Sequence, residues 1–150
     1  MTSDHESIMR RALKIAEECR GVDEVPVGAL MLHGDEIISS SGNRRVNSQN
    51  PLSHAEIHVI EKAAERLGSW RLENCSLYVT LEPCIMCASV MVQARIPNLV
   101  FGASSPKSGV ISLEYGILDD PRLNHRVNVI QGVLAQECGS ILSDFFSKLR

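Results

Sequence analysis

The sequence predicts an α/β fold, a three-layer α/β/α sandwich around a mixed five-stranded sheet, and three observations carry that expectation. Two β-rich runs near the start are separated by a turn signal, so the sheet begins with a hairpin. Later β-rich runs alternate with stretches of helical spacing, a pattern that builds a sheet covered by helices. The chain has 150 residues, 44% of them hydrophobic, which is enough for one continuous core and for a single domain over residues 1–150.

Each element has a local reason. Ser3-Asp4-His5-Glu6 reads as a capping box, and Ile8, Met9, Ala12, Leu13, Ile15, Ala16 and Cys19 recur at helical spacing, so a first amphipathic helix ends near Gly21. Residues 27–32 and 36–40 flank His33-Gly34-Asp35 as two strands around a tight turn. Residues 41–53, rich in Asn, Ser and Arg, form a loop long enough to line a site. Ser53 is the expected cap of a second helix that runs to about Leu67 and stops at Gly68, which puts His54 and Glu56 in its first turn. Residues 76–81 alternate and are β-rich, and Pro83 marks a strand-to-helix junction whose helix begins at Cys84. A fourth strand over 98–103, a long excursion over 103–126, a fifth strand over 127–131 and a last helix over about 134–149 complete the expectation.

A net charge of -3 argues against a protein that holds nucleic acid by a strong overall positive field. It leaves a local basic surface open, since Arg44, Arg45, Lys107, Arg122 and Arg126 are interleaved with Glu114, Asp119 and Asp120. Charge alone therefore does not decide for or against a nucleic-acid partner. No apolar run approaches the roughly 20 residues of a membrane span, and the first twenty residues lack the features of a signal peptide. The expectation is a cytoplasmic protein with no membrane partner. Five cysteines is an odd number, so reduced thiols are expected; Cys19, Cys75 and Cys138 sit beside apolar sequence as small buried hydrophobes.

The chemistry concentrates in two short stretches, His54-Ala55-Glu56 and Pro83-Cys84-Ile85-Met86-Cys87. One imidazole and two thiolates give a tetrahedral zinc three protein ligands and leave the fourth position for water, as in catalytic rather than structural sites. Zinc lowers the pKa of its water from ~15.7 to roughly 7, and Glu56 is the candidate carboxylate to carry protons between that water and a substrate. Cys84 and Cys87 lie three apart on one helix face, at the helix end that favours thiolate. Both motifs open helices, so two neighbouring helix N-termini are expected to face one metal.

Other readings of the same residues stand beside this one. A lone Cys-x-x-Cys also serves redox and structural metal sites, but the redox use leaves Glu56 and Pro83 unexplained. A structural zinc needs a fourth ligand, offered only by scattered thiols or His58. His54 and His58 are four apart as in zinc peptidases, yet there the glutamate directly follows the first histidine and here it lies two positions on. His58 reads as a helix residue packed near the site.

The His-x-Glu and Pro-Cys-x-x-Cys combination, with the glutamate not a ligand, is the signature of zinc nucleobase deaminases. With it in place, the chain resembles the cytidine-deaminase-like superfamily and, within it, the bacterial tRNA-specific adenosine deaminases. The resemblance runs nearly end to end, through Glu24-Val25-Pro26-Val27-Gly28-Ala29, Gly42-Asn43, Leu77-Tyr78-Val79-Thr80-Leu81-Glu82-Pro83-Cys84, Phe101-Gly102-Ala103, Asn124-His125-Arg126-Val127 and Leu142-Ser143-Asp144-Phe145-Phe146. It implies a cytidine-deaminase-like fold and deamination of adenosine to inosine at the wobble position of a tRNA anticodon stem-loop, by a homodimer with one zinc per subunit. It also implies that Asn43 hydrogen-bonds the purine edge, and that Lys107, Asn124, His125, Arg126 and Phe145 are candidates to meet the RNA. Where the family usually shows an aspartate near the target nucleotide, this chain reads Ser104-Ser105-Pro106, which removes a carboxylate contact. That departure keeps deamination of a free nucleobase or nucleoside, such as guanine, cytosine or adenosine, as the alternative.

Overall fold

The computed structural model describes residues 2–149, with side chains from Asp4 onward. Its elements are α1 (Thr2–Arg20), β1 (Gly28–His33), β2 (Glu36–Gly42), α2 (Arg45–Ser48), α3 (Ala55–Leu67), β3 (Cys75–Leu81), α4 (Ile85–Gln93), β4 (Asn98–Ala103), a 3-10 turn (Gly116–Asp119), β5 (Asn128–Ile130) and α5 (Ala135–Lys148). The strands form one sheet in the order β2-β1-β3-β4-β5. β1 is antiparallel to both of its neighbours, while β3, β4 and β5 run parallel, so the expected mixed five-stranded sheet is present.

Strand alternation builds the layers. Ala29 and Met31 of β1, Leu77 and Val79 of β3, and Leu99 and Phe101 of β4 face one way, onto Ala55, Val59 and Ala63 of α3 and Ala88 and Met91 of α4. The intervening Leu30, Leu32, Tyr78 and Val100 face the other way, onto Met9 and Ala12 of α1 and Cys138 of α5. Every one of these side chains is buried, so truncating a large member such as Leu77 is expected to cost about 2–5 kcal/mol. Gly28 marks how closely α1 lies on β1, because a Cβ there would overlap the Ala12 carbonyl.

The structure departs from the sequence expectation in small ways. Both metal-motif helices start one residue late: His54 and Cys84 are N-caps with extended backbones, and helix begins at Ala55 and Ile85. Ser53 is not the cap of α3; its hydroxyl lies 2.9 Å from Ser48 Oγ. The loop over 41–53 contains the four-residue α2, too short for any apolar periodicity to reveal it. The capping box rests on the Ser3 side chain, which lies outside the described residues.

α4 connects the parallel strands β3 and β4, so its N-terminus stands just past the carboxyl end of β3. That is where open α/β sheets form ligand crevices. The N-terminus of α3 reaches the same place.

Candidate active site

His54 and Cys84 are each the N-cap of a helix, and neither side chain hydrogen-bonds to that helix. Each cap side chain turns instead toward the other. His54 Nδ1 lies 3.7 Å from Cys84 Sγ and 3.5 Å from Cys87 Sγ, and the three donor atoms all fall within 4.8 Å of one another. A tetrahedral zinc, bound at ~2.3 Å to sulfur and ~2.0 Å to nitrogen, holds such donors about 3.6 Å apart. The donor set therefore fits that ion in type and in spacing.

The electrostatics agree with a metal-binding pair of thiols. The Cys87 thiol and His54 draw Cys84 well below the ordinary thiol range, which favours its thiolate. Cys87 is pushed up by the neighbouring Cys84 and by burial, so without a metal the two sulfurs hold one proton between them. Metal binding releases it. Hydrogen bonding to Cys84 holds His54 above its ordinary range in the same metal-free state.

Glu56, two residues into the same turn, is not one of the converging donors. It is 4% exposed, and burial pushes its carboxyl up to about 7. A carboxyl poised near neutrality can both take and give a proton, as general acid-base catalysis requires. His54, Glu56 and Cys84 line one cavity of about 130 Å³ with Val25, Val27, Asn43, Arg45, Leu81, Glu82 and Ser108.

Asn43 enters this cavity for a structural reason as well. Its Oδ1 accepts the Ala55 N–H at 2.9 Å and its Nδ2 donates to the Val25 carbonyl at 3.2 Å. His54 is turned toward Cys84 and Cys87 and does not cap α3, so an asparagine twelve positions upstream does so. One amide hydrogen and one acceptor lone pair of Asn43 stay free for a ligand.

Two buried carboxylates, to which the sequence reading gave no role, fix the cavity's walls. Glu82 is 3% exposed; its Oε1 accepts from Ser105 N–H at 2.8 Å and Ser112 Oγ at 2.6 Å, and its Oε2 from Ile111 N–H at 2.8 Å and Ser112 N–H at 2.7 Å. Burial alone would raise its pKa, but the bonds from Ser112, Ser105 and Ile111 win and hold it below the usual carboxylate range. Gly109 lies against this carboxylate so closely that a Cβ would overlap it. Glu24, 2% exposed, pins the other wall by accepting Val46 N–H at 3.2 Å and Asn47 N–H and Nδ2 at 2.6 Å each. The signal was a glutamate set against an apolar residue and a proline, Glu24 before Val25-Pro26 and Glu82 between Leu81 and Pro83, since a buried charge must find partners.

The remaining candidates divide. Lys107 is exposed next to the cavity-lining Ser108, and Ser105 spends its hydroxyl on Ser108 Oγ at 2.9 Å. Asn124 lines a different cleft, with Val92, Gln93, Arg95, Arg122 and Leu123, at the C-terminal end of α4. That end lies ~13 Å along the helix from Cys84, so the structure does not bring Asn124 to the His54, Cys84 and Cys87 cluster. His125 Nε2 donates to the Ile96 carbonyl at 2.7 Å, and Arg126 is exposed beside it. Phe145 is buried, and the exposed ring of the pair is Phe146, 45% accessible and edge-on to it at 5.4 Å. Phe145 as a candidate to meet the RNA is corrected on this ground, because a base has no access to its ring. His58 does not join the donor cluster, and its buried Nε2 has no hydrogen-bond partner among the described residues.

Comparison with known proteins bears on this arrangement. The profile of the MafB19-like deaminase family matches residues 3–150. The tRNA-specific adenosine deaminase of Bacillus subtilis is 45% identical over 150 residues, covering 100% of this chain and 92% of that protein. A solved structure of a tRNA:A34 deaminase, from work on A-to-I editing at the wobble position of transfer RNA, superposes with a TM-score of 0.81 at 39% identity, covering 89% of this chain and 97% of its own. Guanine deaminase from Nitrosomonas europaea shares the fold, with a TM-score of 0.79 at 22% identity over 95% of this chain and 84% of that one.

Proposed function

Because this chain belongs to the tRNA-specific adenosine deaminases, within the MafB19-like deaminase family, we propose that it hydrolyses adenosine to inosine at the wobble position of a tRNA anticodon. The observation that carries the chemistry is the meeting of His54, Cys84 and Cys87, with His54, Cys84 and the buried carboxyl of Glu56 lining one cavity. His54, Cys84 and Cys87 would hold one zinc per chain, which when bound supplies a water acidic enough to act as a nucleophile near neutral pH. Glu56 does the proton work, accepting a proton from the attacking water and delivering protons to the purine ring and to the C6 amino group as it departs as ammonia. Adenosine and water thus give inosine and ammonia.

Asn43 would orient the purine with its free amide hydrogen and lone pair, and its tie to Ala55 keeps that orientation rigid with respect to His54 and Glu56. The target base must leave its stack, and an anticodon loop is already single-stranded, so extrusion costs only a few kcal/mol. One deaminase domain over residues 1–150, a homodimer and a cytoplasmic site of action complete the proposal. No described helix is long and apolar enough to cross a membrane.

The test is to incubate zinc-loaded protein with an anticodon stem-loop carrying adenosine at the wobble position and to sequence the product, where inosine reads as guanosine. Conversion at that one position is expected. Guanine, cytosine and free adenosine run in parallel; turnover of any of them that outpaces the stem-loop would transfer the assignment to a free-base or nucleoside deaminase.

A further inference from the structure

We propose that Arg45 is a substrate-binding residue that grips a backbone phosphate beside the target nucleotide, and so makes the cavity select a base within a polynucleotide over a free base. The inference deepens the reading above and rests on it.

Arg45 lines the same cavity as His54, Glu56, Cys84 and Asn43, yet its side chain is exposed, which places it at the mouth. Ser108 lines the same cavity, and its sequence neighbour Lys107 is exposed. A purine entering base-first is uncharged, so its own atoms give a guanidinium at the rim nothing to neutralise. The sugar-phosphate that follows it does, and a planar fork of N–H donors is the side chain best matched to phosphate oxygens.

Arg45 stands near enough to Glu24 for its charge to favour that carboxylate's ionised form, yet the two are not joined in an ion pair. Arg10, Arg20, Arg66, Arg71 and Arg122 each pair with a carboxylate, but among the described residues Arg45 forms no ion pair. The nearby Glu24 carboxylate is already committed to Val46 and Asn47, and those bonds fix the backbone from which Arg45 projects. With a net charge of -3 the chain as a whole does not attract RNA, so attraction has to come from local cations such as this one.

Arg45→Ala and Arg45→Lys should be compared with the wild type on the anticodon stem-loop, with zinc content and Tm measured for each. Arg45→Ala is expected to raise KM about tenfold, as loss of one charge-assisted hydrogen bond implies, with kcat within about twofold and zinc retained. The slope of log affinity against log salt should fall by about 1, and Arg45→Lys should lie between. A stem-loop made neutral by methylphosphonate linkages on either side of the wobble adenosine should cost the wild type the same tenfold and cost Arg45→Ala nothing more. An unchanged KM and salt slope in Arg45→Ala, or a methylphosphonate penalty equal in both proteins, would overturn the phosphate grip while leaving the deaminase reading intact. A wild type that is inactive on every stem-loop would overturn both.

Discussion

Replacing Glu82 by glutamine changes one oxygen to an amide nitrogen and leaves the side chain's shape almost intact, yet it should destabilise the protein severely. Each carboxylate oxygen accepts from two donors, so the new NH₂ group must face two donors whichever way the amide turns. Turned toward Ser105 and Ser112 Oγ, it strands the Ser105 N–H, while the serine hydroxyl rotates to accept. Turned the other way, it strands both Ile111 and Ser112 N–H. A buried N–H without an acceptor costs about 1–3 kcal/mol, and the surviving bonds fall from charge-assisted to neutral strength, so the total is about 2–5 kcal/mol. Denaturant unfolding of the zinc-loaded proteins should show a lower midpoint with an unchanged m-value, and amide exchange should quicken at Ser105, Ile111 and Ser112. The pH dependence has a fixed sign. Glu82 is held below the usual range, so its contribution is complete above the ordinary carboxylate pKa of ~4.3 and is lost only as pH falls through the lower folded value. The wild-type advantage should therefore be flat near neutrality and shrink in acid. A stability difference below about 0.5 kcal/mol, or one that grows on acidification, would refute the reasoning.

Glu56→Gln should lower the deamination rate by about 10² to 10⁴-fold with zinc content unchanged, and a rate within tenfold of wild type would remove Glu56 as the proton carrier. Cys87→Ser should lose zinc, measured by elemental analysis after dialysis; full metal occupancy would contradict its assignment as a ligand. Asn43→Ala should cost about 1–2 kcal/mol by unbinding the Ala55 N–H, read in thermal unfolding, and should also lower kcat/KM. An activity loss with no loss of stability would mean that the capping role is absent.

The convergence of His54, Cys84 and Cys87 was legible in the sequence because its determinants are local. Each motif sits at a helix start beside a strand or loop, and an α/β sandwich aligns such starts at one end of the sheet. The residues that shape the cavity were harder to read, since their partners are distant in sequence. Glu82 meets residues 105 to 112, and Glu24 meets residues 46 and 47 across a whole hairpin, so spacing carries no trace of either contact. Asn43 is expected from the sequence as a substrate contact, but its capping of α3 is not: Ser53 is the ordinary local choice, and a helix whose N-cap side chain turns away toward two cysteines must borrow its cap from elsewhere. Phe145 and Phe146 are adjacent on one helix, and only the packing of α5 decides which ring is hidden.

Carrying out the reaction in heavy-oxygen water tests the central claim most directly. Mass spectrometry of the nucleosides released from the anticodon stem-loop should find inosine at the wobble position, with one heavy oxygen at C6 and an equal yield of ammonia. No inosine from zinc-loaded protein, or inosine without the solvent's oxygen, would contradict hydrolytic deamination at the site of His54, Glu56, Cys84 and Cys87.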